Sequence, residues 1–216
     1  MPKSSPPATT ASWRSSVPAQ ELTPILAHSL DAFYELGYHG TSVRDIAKRI
    51  GQTVPALYYH YENKEAILFT LLDDSISAVV EHCQQALADA GDDHLQRFRN
   101  LIECLALHMT QHGKRAAMDA EIRALGLANR ERYIAKRNIV ERMLEAAITA
   151  GQREGIFAVS SAHETTRALL GMIFAITVWF KPSGKKSPAA VAASYVDIAL
   201  HTVGYRVSSG AGVSPG

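Results

Sequence analysis

The sequence predicts an all-α protein of about nine helices. Three observations lead there. After residue 20, apolar residues recur at three- and four-residue spacing through almost every segment. No stretch sustains the period-two alternation that a half-buried strand requires. Finally, Gly, Pro and helix-capping Ser, Thr or Asn residues fall between the periodic stretches, where helices stop and start.

The elements follow in order. Leu22, Ile25, Leu26, Leu30 and Phe33 form the stripe of a first helix ending at Gly37. Thr41-Ser42 supplies the cap of a second, with Val43, Ile46, Ala47 and Ile50 on its apolar side. Gly51 closes that helix, and Thr53 with Pro55 opens a short third. Asn63 caps a long fourth helix, Asn63–Leu87, whose apolar stripe runs from Ile67 to Leu87. Leu95, Phe98, Ile102, Leu105 and Met109 share one face of the next helix, which is interrupted at Gly113. A shorter helix is expected over Ala116–Leu127 and a long charged one from Asn129 to about Gln152. Ser161 opens an apolar helix through Phe180, and Ser187-Pro188 starts a last helix through about Tyr205.

With 216 residues, 47% hydrophobic and 20% charged, the chain has the composition of an ordinary globular protein with a real core. Its ends differ. Residues 1–20 and 208–216 are small, polar and aperiodic and are expected to be disordered. The N-terminal stretch lacks the apolar run of an export signal. The longest apolar run, Ala168 to Phe180, is shorter than the roughly 20 residues a membrane span needs, so it reads as a helix covered on all sides. Cys83 and Cys104 fit no metal or redox spacing and read as reduced thiols of a cytoplasmic protein.

Bulk charge does not point to nucleic acid. The formal net charge is +1. Within residues 1–70, Lys3, Arg14, Arg44, Lys48, Arg49 and Lys64 are balanced by Glu21, Asp31, Glu35, Asp45, Glu62 and Glu65. A nucleic-acid reading therefore rests on where charges are placed.

The informative segment is Thr41 to Leu68, TSVRDIAKRIGQTVPALYYHYENKEAIL. It holds two short helices joined by the tight turn Ile50-Gly51-Gln52-Thr53, with small Ala47 where the helices cross and Ile46, Ile50 and Leu57 between them. That is helix-turn-helix geometry. Thr53, Val54, Ala56 and Tyr59 fall on or near the open side of the second helix. Thr41, Arg44, Tyr58, His60 and Lys64 stand where they can reach phosphates, beside helix N-termini whose free N–H groups also attract anions.

Residues 22–68 resemble the DNA-binding region of the tetracycline-repressor (TetR) family of bacterial regulators. The resemblance runs through Phe33, Gly37, Thr41, Ile46-Ala47, Gly51, Leu57-Tyr58, His60-Tyr61, Lys64-Glu65 and Leu68. It implies a second short helix in the major groove, with Thr53, Val54, Ala56 and Tyr59 facing bases and Tyr58, His60 and Lys64 clamping phosphates. Gln52 departs from the small apolar residue that such proteins carry in the turn.

The second half resembles the family's sensor and dimerisation region less specifically. The stretch GMIFAITVWFKPSGKKSP and the helix around Ser194–Asp197 are similar to a subgroup whose effectors are often acyl-CoA thioesters or related hydrophobic acids. The fully apolar helix demands cover, and a homodimer supplies it together with the last helix; Phe174, Val178, Val191, Tyr195, Ile198 and Ala199 are the expected interface. Met109, Met118, Ile122, Tyr133, Met143 and Phe174 are candidate pocket residues for a small hydrophobic effector, and Arg123 a candidate partner for an anionic group. A twofold dimer would present two recognition helices about 34 Å apart to a near-palindromic DNA operator.

These readings divide the chain into a tail (1–20), a helix-turn-helix domain (21–65), a ligand-binding and dimerisation domain (66–207) and a second tail (208–216). His108 and His112 lie four apart on one helix face, but no third metal ligand is evident. There is no phosphate-binding Gly-rich loop, nucleophile elbow or supported Cys/His pair, so neither a catalytic residue nor a cofactor is expected. The competing reading is an all-helical small-molecule-binding protein without DNA activity, which leaves the string at 41–68 to chance.

Overall fold

The computed structural model describes residues 13–14 and 22–206. Among them there is no strand, and every regular element is a helix. The expected C-terminal tail, 208–216, lies outside the described residues, as does most of 1–20. Trp13 and Arg14 are the exceptions and correct that expectation. Trp13 is buried against the core. Arg14 donates to both carboxylate oxygens of Glu103, at 3.0 and 3.1 Å, and to Asn100 Oδ1 at 3.1 Å.

Three short helices build the head. Thr23 caps α1 (Pro24–Leu36), which buries Leu26, Leu30 and Phe33. α2 (Val43–Arg49) opens with a capping box: the Ser42 hydroxyl accepts from Asp45 N, and the Asp45 carboxylate accepts from Ser42 N at 2.9 Å. The cap is therefore Ser42 and not Thr41. The Thr41 side chain turns inward, and its hydroxyl donates to the carbonyls of Ala32 and Gly37 at the end of α1. α3 (Val54–His60) is capped by Thr53 and carries Pro55 in its first turn. Gly51, at φ 66°, makes the left-handed bend between α2 and α3. Ile46, Ala47 and Leu57 are buried where these helices cross.

The body follows. Asn63 Oδ1 accepts from Ala66 N at 2.8 Å and starts α4 (Lys64–Asp89), which runs from the head along the whole body. α5 (His94–Gln111) and α7 (Leu127–Arg153) pack against α4; α10 (Pro188–Thr202) lies on α5 and α8 (Ala162–Phe174) on α7. Leu71, Leu72, Phe98, Leu101, Ile102, Leu144 and Ile148 are fully buried between them. Each such side chain contributes about 1.5–3 kcal/mol of burial. After α7 the chain turns tightly back over Gly151, where an added Cβ would meet the Phe157 ring at 2.1 Å; that close approach seats Phe157 against Phe98, ring centroids 5.0 Å apart.

The structure redraws three elements. The helix expected over Ala116–Leu127 is a short α6 (Gly113–Ala117) followed by a 3-10 segment, Met118–Ala124. The apolar helix breaks at Ala175 and resumes as the single turn α9 (Ile176–Trp179). Counting α8 and α9 together, the described residues hold nine α-helices. The last helix stops at Thr202, short of Tyr205.

Candidate functional site

The exposed surface of α3 is the first candidate site. Tyr59 is 87% exposed, and Tyr58 and His60 lie open beside it. The Tyr59 and His60 rings stand nearly perpendicular, centroids 5.2 Å apart. An aromatic side chain this bare contributes little to the stability of the folded chain. Pro55, one turn before Tyr59 and read from sequence only as a helix opener, is also exposed. Thr53 is exposed but also caps α3, its hydroxyl accepting from Ala56 N at 3.4 Å. Arg44 is exposed on α2.

The other residues expected on this face are less open. Val54 and Ala56 are half-buried, with Val54 packed on the core. Thr41 is buried and cannot reach a phosphate. Lys64 is turned inward: Nζ donates to the carbonyl oxygens of Tyr38 and Thr41, both at 2.7 Å, and lies 4.2 Å from the Tyr38 ring centroid. Burial holds its ammonium below the ordinary lysine range, opposed by the charge of Glu121. Its charge is therefore spent inside the head, on the turn between α1 and α2. Gln52 is exposed, with its backbone N–H donating to Ala47 O at 3.0 Å, which explains how a polar residue is accommodated in the turn.

The chain matches two family descriptions: "Bacterial regulatory proteins, tetR family" over residues 25–71, and "Tetracyclin repressor-like, C-terminal domain" over residues 91–203. It belongs to the TetR family. Among relatives, this TetR-family chain is 28% identical to the uncharacterized HTH-type transcriptional regulator YdgC of Bacillus subtilis (strain 168), over 82% of its own length and 89% of the relative's. Among solved structures it is similar to the TetR-family regulator PfmR of Thermus thermophilus, with TM-score 0.75, 30% identity and 82% and 97% of the two chains covered. It is likewise similar to AibR in complex with isovaleryl coenzyme A and operator DNA, with TM-score 0.71, 25% identity and 81% and 95% covered.

Among the described residues, three polar ties join the head of this TetR-family protein to its body. Glu65, at the start of α4, accepts from Gly126 N at 2.9 Å and from Asn129 Nδ2 at 3.0 Å, at the start of α7. Lys114 on α6 pairs with Asp31 on α1 at 2.6 Å. The backbone N–H of Tyr38 points to Glu121 of the 3-10 segment at 3.5 Å.

The body holds a cavity of about 520 Å³ among α4, α5, α7 and α8. Of the expected pocket residues, Met109, Tyr133 and Phe174 line it, whereas Met118, Ile122, Arg123 and Met143 do not. Met118 is instead buried in the core, and Ile122 and Met143 pack against it. Its polar lining was not foreseen: His108, Asp119, Arg137, Glu141, His163 and Arg167. Tyr133 donates to Asp119 at 2.8 Å, and burial first, then Asp119, pushes its phenol well up. His108 is buried with Nδ1 lacking a hydrogen-bond partner; burial first, then the charges of His112, His82 and Arg115, push its pKa down to about 3.

A second surface is left open by α8, α9 and α10. Leu169, Ile173 and Ile176 are covered within the chain, but Gly171, Met172, Ala175, Val178 and Trp179 form an exposed apolar stripe. Val178 is 83% exposed. Within a single chain this helix is covered on one side only, which leaves the rest of the expected cover to a second subunit. Ile198 on α10 is exposed, and Tyr195 stacks on Trp179, ring centroids 6.4 Å apart. Three residues expected at the interface are placed otherwise: Val191 and Ala199 are buried on the face that α10 turns inward, and Phe174 lines the cavity. Among the described residues no helix is long and apolar enough to cross a membrane.

Proposed function

We propose that this protein is a homodimeric, one-component transcriptional repressor that binds a near-palindromic double-stranded DNA operator and is released by a small hydrophobic effector. The observation that carries the reading is the bare aromatic face of α3, with Tyr59 87% exposed in the last turn of the second helix of a helix-turn-helix. Tyr59 is the base-facing candidate, flanked by Thr53; Tyr58, His60 and Arg44 are the phosphate-reaching candidates. The open stripe from Gly171 to Trp179 and the outer side of α10 at Ile198 supply the twofold interface. Burying a contiguous apolar stripe of this kind is the ordinary driving force of a permanent dimer.

The effector reading rests on the cavity, whose walls are apolar at Ile76, Val79, Leu105 and Val140. AibR carries isovaleryl coenzyme A and operator DNA in its solved complex, which makes acyl-CoA thioesters the first class to test. Release requires unequal effector affinity for the DNA-competent and the DNA-incompetent conformers. α4 spans head and body, so a shift of α4 at the cavity moves the recognition helix. Purified dimer should retard a selected operator in a gel, and a short-chain acyl-CoA should restore free DNA. Retardation that no acyl-CoA reverses would remove the acyl-CoA class; absence of retardation on any selected DNA would remove the regulator itself.

A further inference from the structure

A second cavity, of about 390 Å³, lies at the joint between head and body, bounded by Leu30 and Tyr34 of α1, Lys114 and Arg115 of α6, and Phe180 beyond α9. Met109 is a wall of both cavities. On either side of it, His108 faces the first cavity and His112 the second, their ring centroids 5.0 Å apart. Met109 is unbranched and flexible, so it is the side chain most readily moved aside to join the two spaces.

The two cavities differ in charge. In the first, Arg137 and Arg167 are offset by Asp119 and Glu141. In the second, His112, Lys114 and Arg115 line the wall and no carboxylate does. The carboxylates that serve this corner stand outside it: Asp31 pairs with Lys114 at 2.6 Å, Glu35 is engaged with Arg49 at 2.7 Å, and Asp74 acts on Arg115. The Asp31–Lys114 pair is about half exposed, and such pairs are weak. An anion arriving from the cavity side can therefore take Lys114 from Asp31, and with it goes one of the ties between α1 and α6.

Building on the effector reading above, we propose that the effector is an acidic amphiphile whose apolar body fills the first cavity and whose carboxylate or phosphate reaches past Met109 to Lys114, displacing Asp31 and loosening the head. The occupant is thus also the signal: the same ion-pair exchange that binds it releases α1. Binding and release are then linked, and any change that frees Lys114 in advance must strengthen binding by the same factor.

The test is direct titration of the full-length dimer with decanoate, decyl phosphate and decan-1-ol, read by calorimetry without DNA. At least one anion should bind about ten-fold more tightly than the alcohol, as a charge-assisted contact requires. Decanoate against decyl phosphate then separates carboxylate from phosphate recognition. Lys114→Gln should bring acid and alcohol to within about three-fold of each other. Asp31→Asn should tighten binding of the anion several-fold and leave the alcohol unchanged. Equal binding of acid and alcohol, a preference that survives Lys114→Gln, an Asp31→Asn variant that binds like wild type, or no binding by any of the three would each overturn the proposal. Operator binding is scored separately by gel retardation without ligand, so its failure would strike the repressor reading and leave these ratios interpretable.

Discussion

Lys64 Nζ donates to the carbonyl oxygen of Thr41 at 2.7 Å. Both residues read from sequence as phosphate contacts, and the structure ties them to each other inside the head. A second bond from the same ammonium, to Tyr38 O at 2.7 Å, makes Lys64 the post on which the α1–α2 turn hangs. Lys64→Ala should therefore lower stability by about 1.5–3 kcal/mol, the range for bonds to a charged group. Urea denaturation measures it; a loss below about 0.5 kcal/mol would mean that water replaces both bonds.

Salt dependence separates this role from a phosphate contact. Operator affinity of Arg44→Ala should fall, with the slope of log K against log salt reduced by about 1. Lys64→Ala should weaken affinity through the misplaced turn and leave that slope unchanged. Equal slope changes in both variants would return Lys64 to the DNA face.

The head was legible in sequence because its signals are local. Thr53 and Asn63 cap the helices they precede, Gly51 takes the left-handed bend, and Ile46 and Leu57 fall at the helical spacing that buries them. Roles that depend on distant partners were not legible. Lys64 finds its acceptors 23 and 26 residues away, and nothing in the spacing of the motif announces that. α10 presented a different obstacle: both of its faces are apolar. Val191 and Ala199 are buried in a helix that packs mainly on α5, while Ile198 stays outside, and composition cannot say which side packs within the chain. The cavity lining was the least legible, since His108, Asp119, Arg137 and Arg167 converge from four separate segments.

The open stripe on α8 and α9 makes oligomeric state a sharp test. Val178→Asp introduces two carboxylates into a twofold interface with no cation given to them, at a cost of several kcal/mol. Sedimentation at micromolar concentration should show a wild-type dimer and a variant monomer. A variant that stays dimeric would move the interface off this stripe.

Acid stability should carry the signature of His108. Its folded-state pKa is depressed to about 3, below the unfolded value near 6.5. Between these values the unfolded chain binds the extra proton, so stability is intact above about 6.5 and is lost as pH falls toward 3. The slope from this one group is about 1.4 kcal/mol per pH unit. His112 is shifted in the same direction, chiefly by burial. His108→Phe removes the titrating group and the unpartnered Nδ1 together. Its melting temperature should fall less steeply below pH 6 than that of wild type, and parallel curves would show that His108 escapes to solvent before it charges.

The central claim is that the exposed face of α3 reads DNA. Selection of bound DNA from a random pool, run side by side with wild type and Tyr59→Ala, tests it most directly. Tyr59 is exposed, so its replacement should change stability by no more than about 0.5 kcal/mol. Wild type should enrich a near-palindrome with half-sites centred about one helical turn apart, and the variant should lose that preference. Failure of the wild type to enrich any sequence, or recovery of the same motif by Tyr59→Ala, would contradict the account.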